Sequence, residues 1–294
     1  MSTPAVTASA PVAVPSGRRE LHGAARFARR HPVIAGEVVL IVLILLVSLA
    51  APLLGFGDPN HGDLLQSVAK PGTSGHLLGT DVQGRDILTR VVFSIRTSVL
   101  ISLAATVAAL LLGLGLGLLA GTVRWLDTPI MRLVDIQMAF PALVLAIAVV
   151  AALGGASIVN VVVVLTVTGW VGYARVCRAM VLSLRNALFV DAARAAGATS
   201  TRIAWRHLAP NVLPTLVAMA VAQFPMLMIQ EASLSYLGLG VPASTPTLGV
   251  MMQDGQQALF TAWWPCVEPA IVMAVLVLIL TSLGDYASRA LNRT

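Results

Sequence analysis

Six runs of apolar residues punctuate the chain, at 34–54, 99–120, 136–153, 158–176, 212–234 and 267–283. A helix needs roughly 20 mostly apolar residues, at 1.5 Å each, to cross about 30 Å of hydrocarbon. Each run approaches or reaches that length; the third and sixth are the shortest. The pattern predicts an all-α polytopic membrane protein with six transmembrane helices.

The stretches between the runs are patterned too. Residues 1–30 read as a tail, Pro/Ala/Ser/Thr-rich and uncharged over 1–17, then basic, a composition that resists folding. The first run starts too late and is too long for a signal-peptide core, so it reads as a retained span. Residues 31–96 hold that span and the longest outer loop. From Asp86, the residues Ile87, Leu88, Val91, Val92 and Ile95 recur at helical spacing, with Arg85, Arg90 and Arg96 elsewhere on the wheel. This predicts an amphipathic helix lying at the outer interface before the second span. Residues 97–294 form the core. There Gly113, Gly117 and Gly121 lie four apart, a flat stripe that suits either a seam with another subunit or packing within the chain. Asp127 and Thr128 before Pro129 predict a helix start, and Arg132 and Asp135 are spaced to pair.

Segment 188–211, between the fourth and fifth runs, is polar and compact. Residues 188–196 read as a short helix with Asp191 in its first turn, where an acid suits the helix dipole. Ala192, Ala193, Ala195 and Ala196 favour helix while adding almost no bulk. Gly197 stops it, Thr199 or Ser200 caps a second helix over 201–209, and Pro210 and Pro214 bracket the entry into the fifth span. A thin, alanine-lined helix can enter a groove. Arg194, Arg202 and Arg206 can make charge-assisted bonds to carboxylates of a protein partner or, alternatively, rest on anionic lipid.

Composition sharpens this. The chain is 57% hydrophobic and 11% charged, with a mean hydropathy of +0.86, values outside the soluble range. The net charge of +6 is distributed by loop: with the N-terminus inside, 15 of the 19 basic residues fall on inner segments and only Lys70, Arg85, Arg90 and Arg96 outside. That is the positive-inside bias, not a nucleic-acid footprint. Cys177 and Cys266 fall near opposite membrane faces, which excludes a disulfide between them. A phosphate-binding loop needs a lysine in a glycine frame, and the one lysine, Lys70 in "SVAKPG", has none. The five histidines show no metal-ligand spacing, and no nucleophile–base pattern is visible.

The fifth run carries Gln223, Pro225, Gln230 and Glu231. Polar groups within a span suggest a pathway lining, and Pro225 permits a kink. Glu231 falls near the outer boundary, where a structural cap for "SLSYLGLG" competes with a pathway role.

"DAARAAGATSTRIAWRHLAPN" resembles the EAA loop of ATP-binding-cassette importer permeases, with Asp191 for the usual Glu and with His207 and Ala209 where Ile and Leu are common. "LGTDVQGRDILTR", "RLVDIQMAFPAL", "GWVGYARVCR" and "EASLSYLGLGVPASTPTLG" are similar to segments of the second permease subunit of dipeptide/oligopeptide/nickel importers. The resemblance implies a transport subunit without its own ATPase site and with no cofactor of its own. It implies a heterodimer with a second permease, two cytoplasmic ATPase subunits that hold ATP and Mg, and an extracytoplasmic solute-binding protein. The loop would serve as the coupling helix, with Asp191, Ala192, Ala193, Arg194, Gly197, Arg202 and Arg206 meeting the ATPase. It places the chain in a bacterial inner membrane with both termini cytoplasmic. Peptides are the expected cargo, with nickel or glutathione as alternatives. An ATP-independent secondary transporter would show paired inverted repeats, where this chain has one kinked span.

Overall fold

The computed structural model of the protein describes residues 32–73 and 75–291, with side chains through 288. The 1–30 tail lies outside the described residues, and so do the arginines it contributes to the charge bias. The described residues form ten α-helices in order: α1 Pro32–Ala50, α2 Ile87–Thr122, α3 Arg124–Met138, α4 Ala142–Ala152, α5 Ile158–Leu184, α6 Leu188–Ala195, α7 Ser200–Ile203, α8 Ala209–Tyr236, α9 Leu248–Gln256 and α10 Trp264–Leu291. Among the described residues there are only isolated β-bridges and no strand. Among the described residues, five helical segments are long and apolar enough to cross a membrane, and α3 with α4 makes a sixth if the bent pair is one span.

Three expected boundaries move. The second run and the amphipathic helix before it are one continuous 36-residue helix, α2, capped where the Asp86 carboxylate accepts from Thr89 N at 2.7 Å. Its first turns do not rest at an interface: Ile87, Arg90, Val91 and Ile95 are all buried. The third run is broken, because α3 and α4 meet at 103° across Ala139, Phe140 and Pro141. Proline disfavours helical backbone in the residue before it and donates no amide hydrogen, so the break falls where "AFP" puts it. The sixth run extends in both directions to the 28 residues of α10.

Helix α3 begins a turn before Thr128, and Pro129 lies inside it. Its acids reach across to α5 rather than along their own helix. Asp135 accepts from Arg175 at 2.9 Å instead of pairing with Arg132, and Asp127 takes Arg178 through two nitrogens.

The glycine stripe of α2 seats α5. A Cβ at Gly113 would lie 2.5 Å from Tyr173 Cβ, one at Gly117 2.5 Å from Cys177 Cβ, and one at Gly121 2.5 Å from Val181 Cγ1. The seam is thus internal to the chain. The facing pairs 113/173, 117/177 and 121/181 advance together along both helices, so α2 and α5 run parallel. Two parallel neighbours require the chain between them to return across the layer, and α3 with α4 is all that lies between. The bent pair therefore crosses, giving six passages. Helix α1 packs onto both α2 and α10, with Ile41 in the core they share, and leaves Leu43, Leu46 and Leu49 exposed, as a helix facing hydrocarbon would.

Candidate functional site

At the end of the layer where α2 and α5 terminate, segment 188–211 folds back as a helix–turn–helix. Helix α6 is fixed by one side: Val190 is fully buried, and Ala193 and Ala198 pack against the core of α2, α5 and α8. The opposite side is free, with Leu188 88% exposed and Asp191, Ala192, Ala195 and Ala196 exposed beside it. Ala193 therefore faces inward, and the alanines available to a partner are 192, 195 and 196. Arg194 Nη1 donates to Asp191 Oδ1 at 2.9 Å, both exposed. Gly197 has φ +81°, the left-handed conformation that ends α6, and a Cβ there would meet nothing within 4 Å.

Past the turn, the Thr199 hydroxyl accepts from Arg202 N at 3.3 Å and caps α7. The second helix does not stop at Pro210. It passes through a π-helical turn, Ala204–Leu208, straight into α8. The wider turn admits Pro210 at the start of α8, where a missing amide hydrogen is harmless. The loop is thus continuous with a 28-residue span, and Arg202 and Arg206 stand exposed on the joining segment.

The polar residues of α8 do not share one environment. Gln223 is half-buried toward α5, its Nε2 lying 3.7 Å from where a Cβ of Gly172 would sit. Pro225 is buried within α8 and Gln230 is half-buried. Glu231 is wholly buried: Ser235 Oγ donates to it at 2.9 Å, and the hydroxyls of Ser98 and Thr247 sit beside it. The buried carboxyl thus sits where α8 meets α2 and the segment that re-enters the core before α9. That segment is tight, since a Cβ at Gly240 would lie 2.1 Å from Ser235 Oγ and one at Gly249 2.5 Å from Ala232 O.

A second polar cluster escaped the sequence reading. At the far end of the layer, Arg85 Nε donates to Asp81 and its Nη2 to Asp254, each at 2.7 Å. Arg90 Nη1 donates to the same two acids at 2.5 and 3.2 Å. Arg90 is only 1% exposed. Trp264 Nε1 closes the group by donating to Thr80 O at 3.3 Å. The quartet ties the loop before α2 to α2 and α9, and the Trp264 bond adds α10. The signal was present in the sequence: Arg90, Ser94, Ser98, Ser102 and Thr106 form a polar row at i, i+4 spacing, all buried. Among the described residues, no three His, Cys, Asp or Glu side chains gather as a metal site.

Apolar spans packed through a glycine seam, with an anchored helix–turn–helix displayed at one end, define an integral, multi-pass membrane permease. The chain belongs to the family of binding-protein-dependent transport system inner membrane components, whose profile matches residues 109–294. It is 37% identical over 261 residues to a putative peptide transport system permease protein of Brucella abortus, covering 89% of this chain and 88% of that protein. The dipeptide transport system permease protein DppC of Alkalihalophilus pseudofirmus is 35% identical, covering 87% of this chain and 84% of that protein. The glutathione transport system permease protein GsiD of Pectobacterium atrosepticum is 33% identical, covering 91% and 88%. The fold is that of a chain of the MetNI methionine ABC transporter in an inward facing conformation, with a TM-score of 0.56 at 21% identity, covering 69% of this chain and 96% of that one. The protein is a permease subunit of an ATP-binding-cassette importer.

Proposed function

We propose that this permease pairs with a second, non-identical permease to form the pathway of a di- or oligopeptide importer, and that segment 188–211 carries ATPase motion to its spans. The carrying observation is the free face of α6, thin and alanine-lined, on a helix anchored from behind by Val190. The loop and both termini lie in the cytoplasm, as the arginine distribution favours. Two ATPase subunits there bind and hydrolyse ATP with Mg, and each permease loop enters a groove on one of them. Asp191, Ala192, Arg202 and Arg206 supply the contact, Arg194 reaches it only at the flank of α6 through its pair with Asp191, and Ala193 and Gly197 hold its shape. A binding protein delivers cargo at the far end. Gln223, Gln230 and the kinkable stretch at Pro225 contribute to the pathway, and Glu231 braces it. Peptide cargo is supported by the relatives named for peptide transport. The relative named for glutathione supports a second cargo of the same chemistry, a short peptide.

Because α7 and its π turn continue directly into α8, a push on the loop is a push on a span. Bulk on the free face should block docking: Ala192→Trp should lose the ATPase subunits during purification of the solubilised complex, since overpacking a fitted contact costs about 1–3 kcal/mol. Arg202→Ala should weaken retention in a salt-dependent way. Full retention by Ala192→Trp would overturn the docking assignment.

A further inference from the structure

Behind α6, between the loop and the ends of the spans, lies a polar hollow of about 310 Å³. Its polar lining comes from Thr122 at the end of α2, Arg185 and Asn186 just past α5, and Arg194 and Ser200 of the loop. These groups can all donate hydrogen bonds, and the lining includes no acid. Charge within the hollow is unevenly committed. The neighbouring span-end arginines are taken, Arg178 by Asp127 and Arg175 by Asp135. Arg194 gives one nitrogen to Asp191. Arg185 is exposed and forms no salt bridge among the described residues; it acts on Asp127, which Arg178 already holds, only at a distance.

We infer that this hollow is a binding site for a phosphate-bearing anion, and specifically for the headgroup of an anionic phospholipid. Guanidinium groups bind phosphate through paired, charge-assisted hydrogen bonds. The apolar run of α2 stops at 120, two residues before Thr122, so the α2 side of the hollow lies beside the hydrocarbon boundary of the leaflet that faces the loop, within reach of a lipid headgroup. Two of its walls are the fixed ends of spans and the other is the loop itself, through Arg194 and Ser200. A bound headgroup would therefore brace α6 against the spans from the side opposite its free face, so coupling would depend on anionic lipid. The inference rests on the loop's role as the ATPase dock only for that last consequence. The site itself can be tested without it.

The test has two readouts. Native mass spectrometry of the intact importer counts phosphatidylglycerol bound after delipidation and titration. ATP hydrolysis is followed in nanodiscs of phosphatidylcholine alone or mixed with phosphatidylglycerol, with and without inorganic phosphate. Arg185→Gln is compared with Arg132→Gln, an exposed arginine of α3 that does not line the hollow. Arg185→Gln should weaken phosphatidylglycerol binding about fivefold, the loss of roughly 1 kcal/mol expected for one arginine near anionic lipid. Hydrolysis in Arg185→Gln should need correspondingly more phosphatidylglycerol, whereas Arg132→Gln should match wild type in both. Equal binding by wild type and Arg185→Gln would overturn the site. Stimulation by inorganic phosphate in phosphatidylcholine alone would overturn the lipid assignment in favour of a soluble anion. Loss of the ATPase subunits from Arg185→Gln in lipid-free detergent would overturn it in favour of a protein carboxylate. If Ala192→Trp keeps its ATPase while Arg185→Gln loses lipid, the docking assignment fails and the lipid site stands.

Discussion

Two glycines, one between alanines and one between leucines, do different work. At Gly197 a side chain would meet nothing, so the constraint lies wholly in φ +81°. A left-handed backbone costs an ordinary L residue about 1–2 kcal/mol, less for Asn and more for a β-branched residue. Gly197→Val should insert and assemble normally but lose ATP-coupled transport, and Gly197→Asn should recover most of it. Wild-type uptake by Gly197→Val into proteoliposomes would show that the turn is not the hinge of coupling. At Gly117 the backbone is ordinary helix and the constraint is space: a Cβ would sit 2.5 Å from Cys177 Cβ and 2.8 Å from Ala174 O. Gly117→Ala should lower stability by about 1–3 kcal/mol by prising α2 from α5. Gly115→Ala, with nothing within 4 Å, should be neutral or stabilise by up to about 1 kcal/mol. Thermal unfolding of the two variants in detergent separates them, and equal midpoints would contradict the seam.

At the scale of elements, the helices were legible and their joints were not. Apolar runs locate α1, α2, α5, α8 and α10 because a span must be apolar over its whole lipid-facing length. Joints depend on what arrives from elsewhere. Arg90 looked like the polar side of an interfacial helix, because the sequence could not show that Asp81 and Asp254 come to meet it from positions 9 residues before and 164 after. Pro210 looked like a stop because a π turn, which has no compositional signature, carries the chain through it. Ala193 looked like Ala192 until Val190 fixed which side of α6 faces the core. For Glu231 the sequence left a cap and a pathway role both open, because its bond to Ser235 is an i, i+4 contact within one helix and the hydroxyls of Ser98 and Thr247 arrive from far along the chain. The quartet makes its own prediction. Asp81 is nearly fully buried between both arginines, and removing one partner of a buried pair typically costs about 3–5 kcal/mol, because a charge is left without compensation. Asp254 is 18% exposed, and water can relieve its loss. Asp81→Ala should therefore lower the unfolding midpoint more than Asp254→Ala, and the reverse order would contradict the quartet as drawn.

At the scale of the molecule, the bent pair α3–α4 decides the topology. Composition alone left 136–153 as a short run, and its 103° bend could belong to a crossing or to a hairpin that returns to the side it left. The glycine seam resolves the two, since Gly113 meets Tyr173 and Gly121 meets Val181, so α2 and α5 point the same way and the chain between them must cross. Three passages then separate the loop before α2 from the 188–211 loop, whereas a hairpin would leave two. Lys70 and Thr201 are exposed on those two segments. In a Cys266→Ser background, with Cys177 fully buried, single cysteines at Lys70 and Thr201 can be challenged with a membrane-impermeant maleimide in spheroplasts and in inverted vesicles. Lys70→Cys should react only in spheroplasts and Thr201→Cys only in inverted vesicles. Reaction of both from one side would mean an even number of crossings, and α3–α4 would then have to be re-entrant despite the parallel seam it joins.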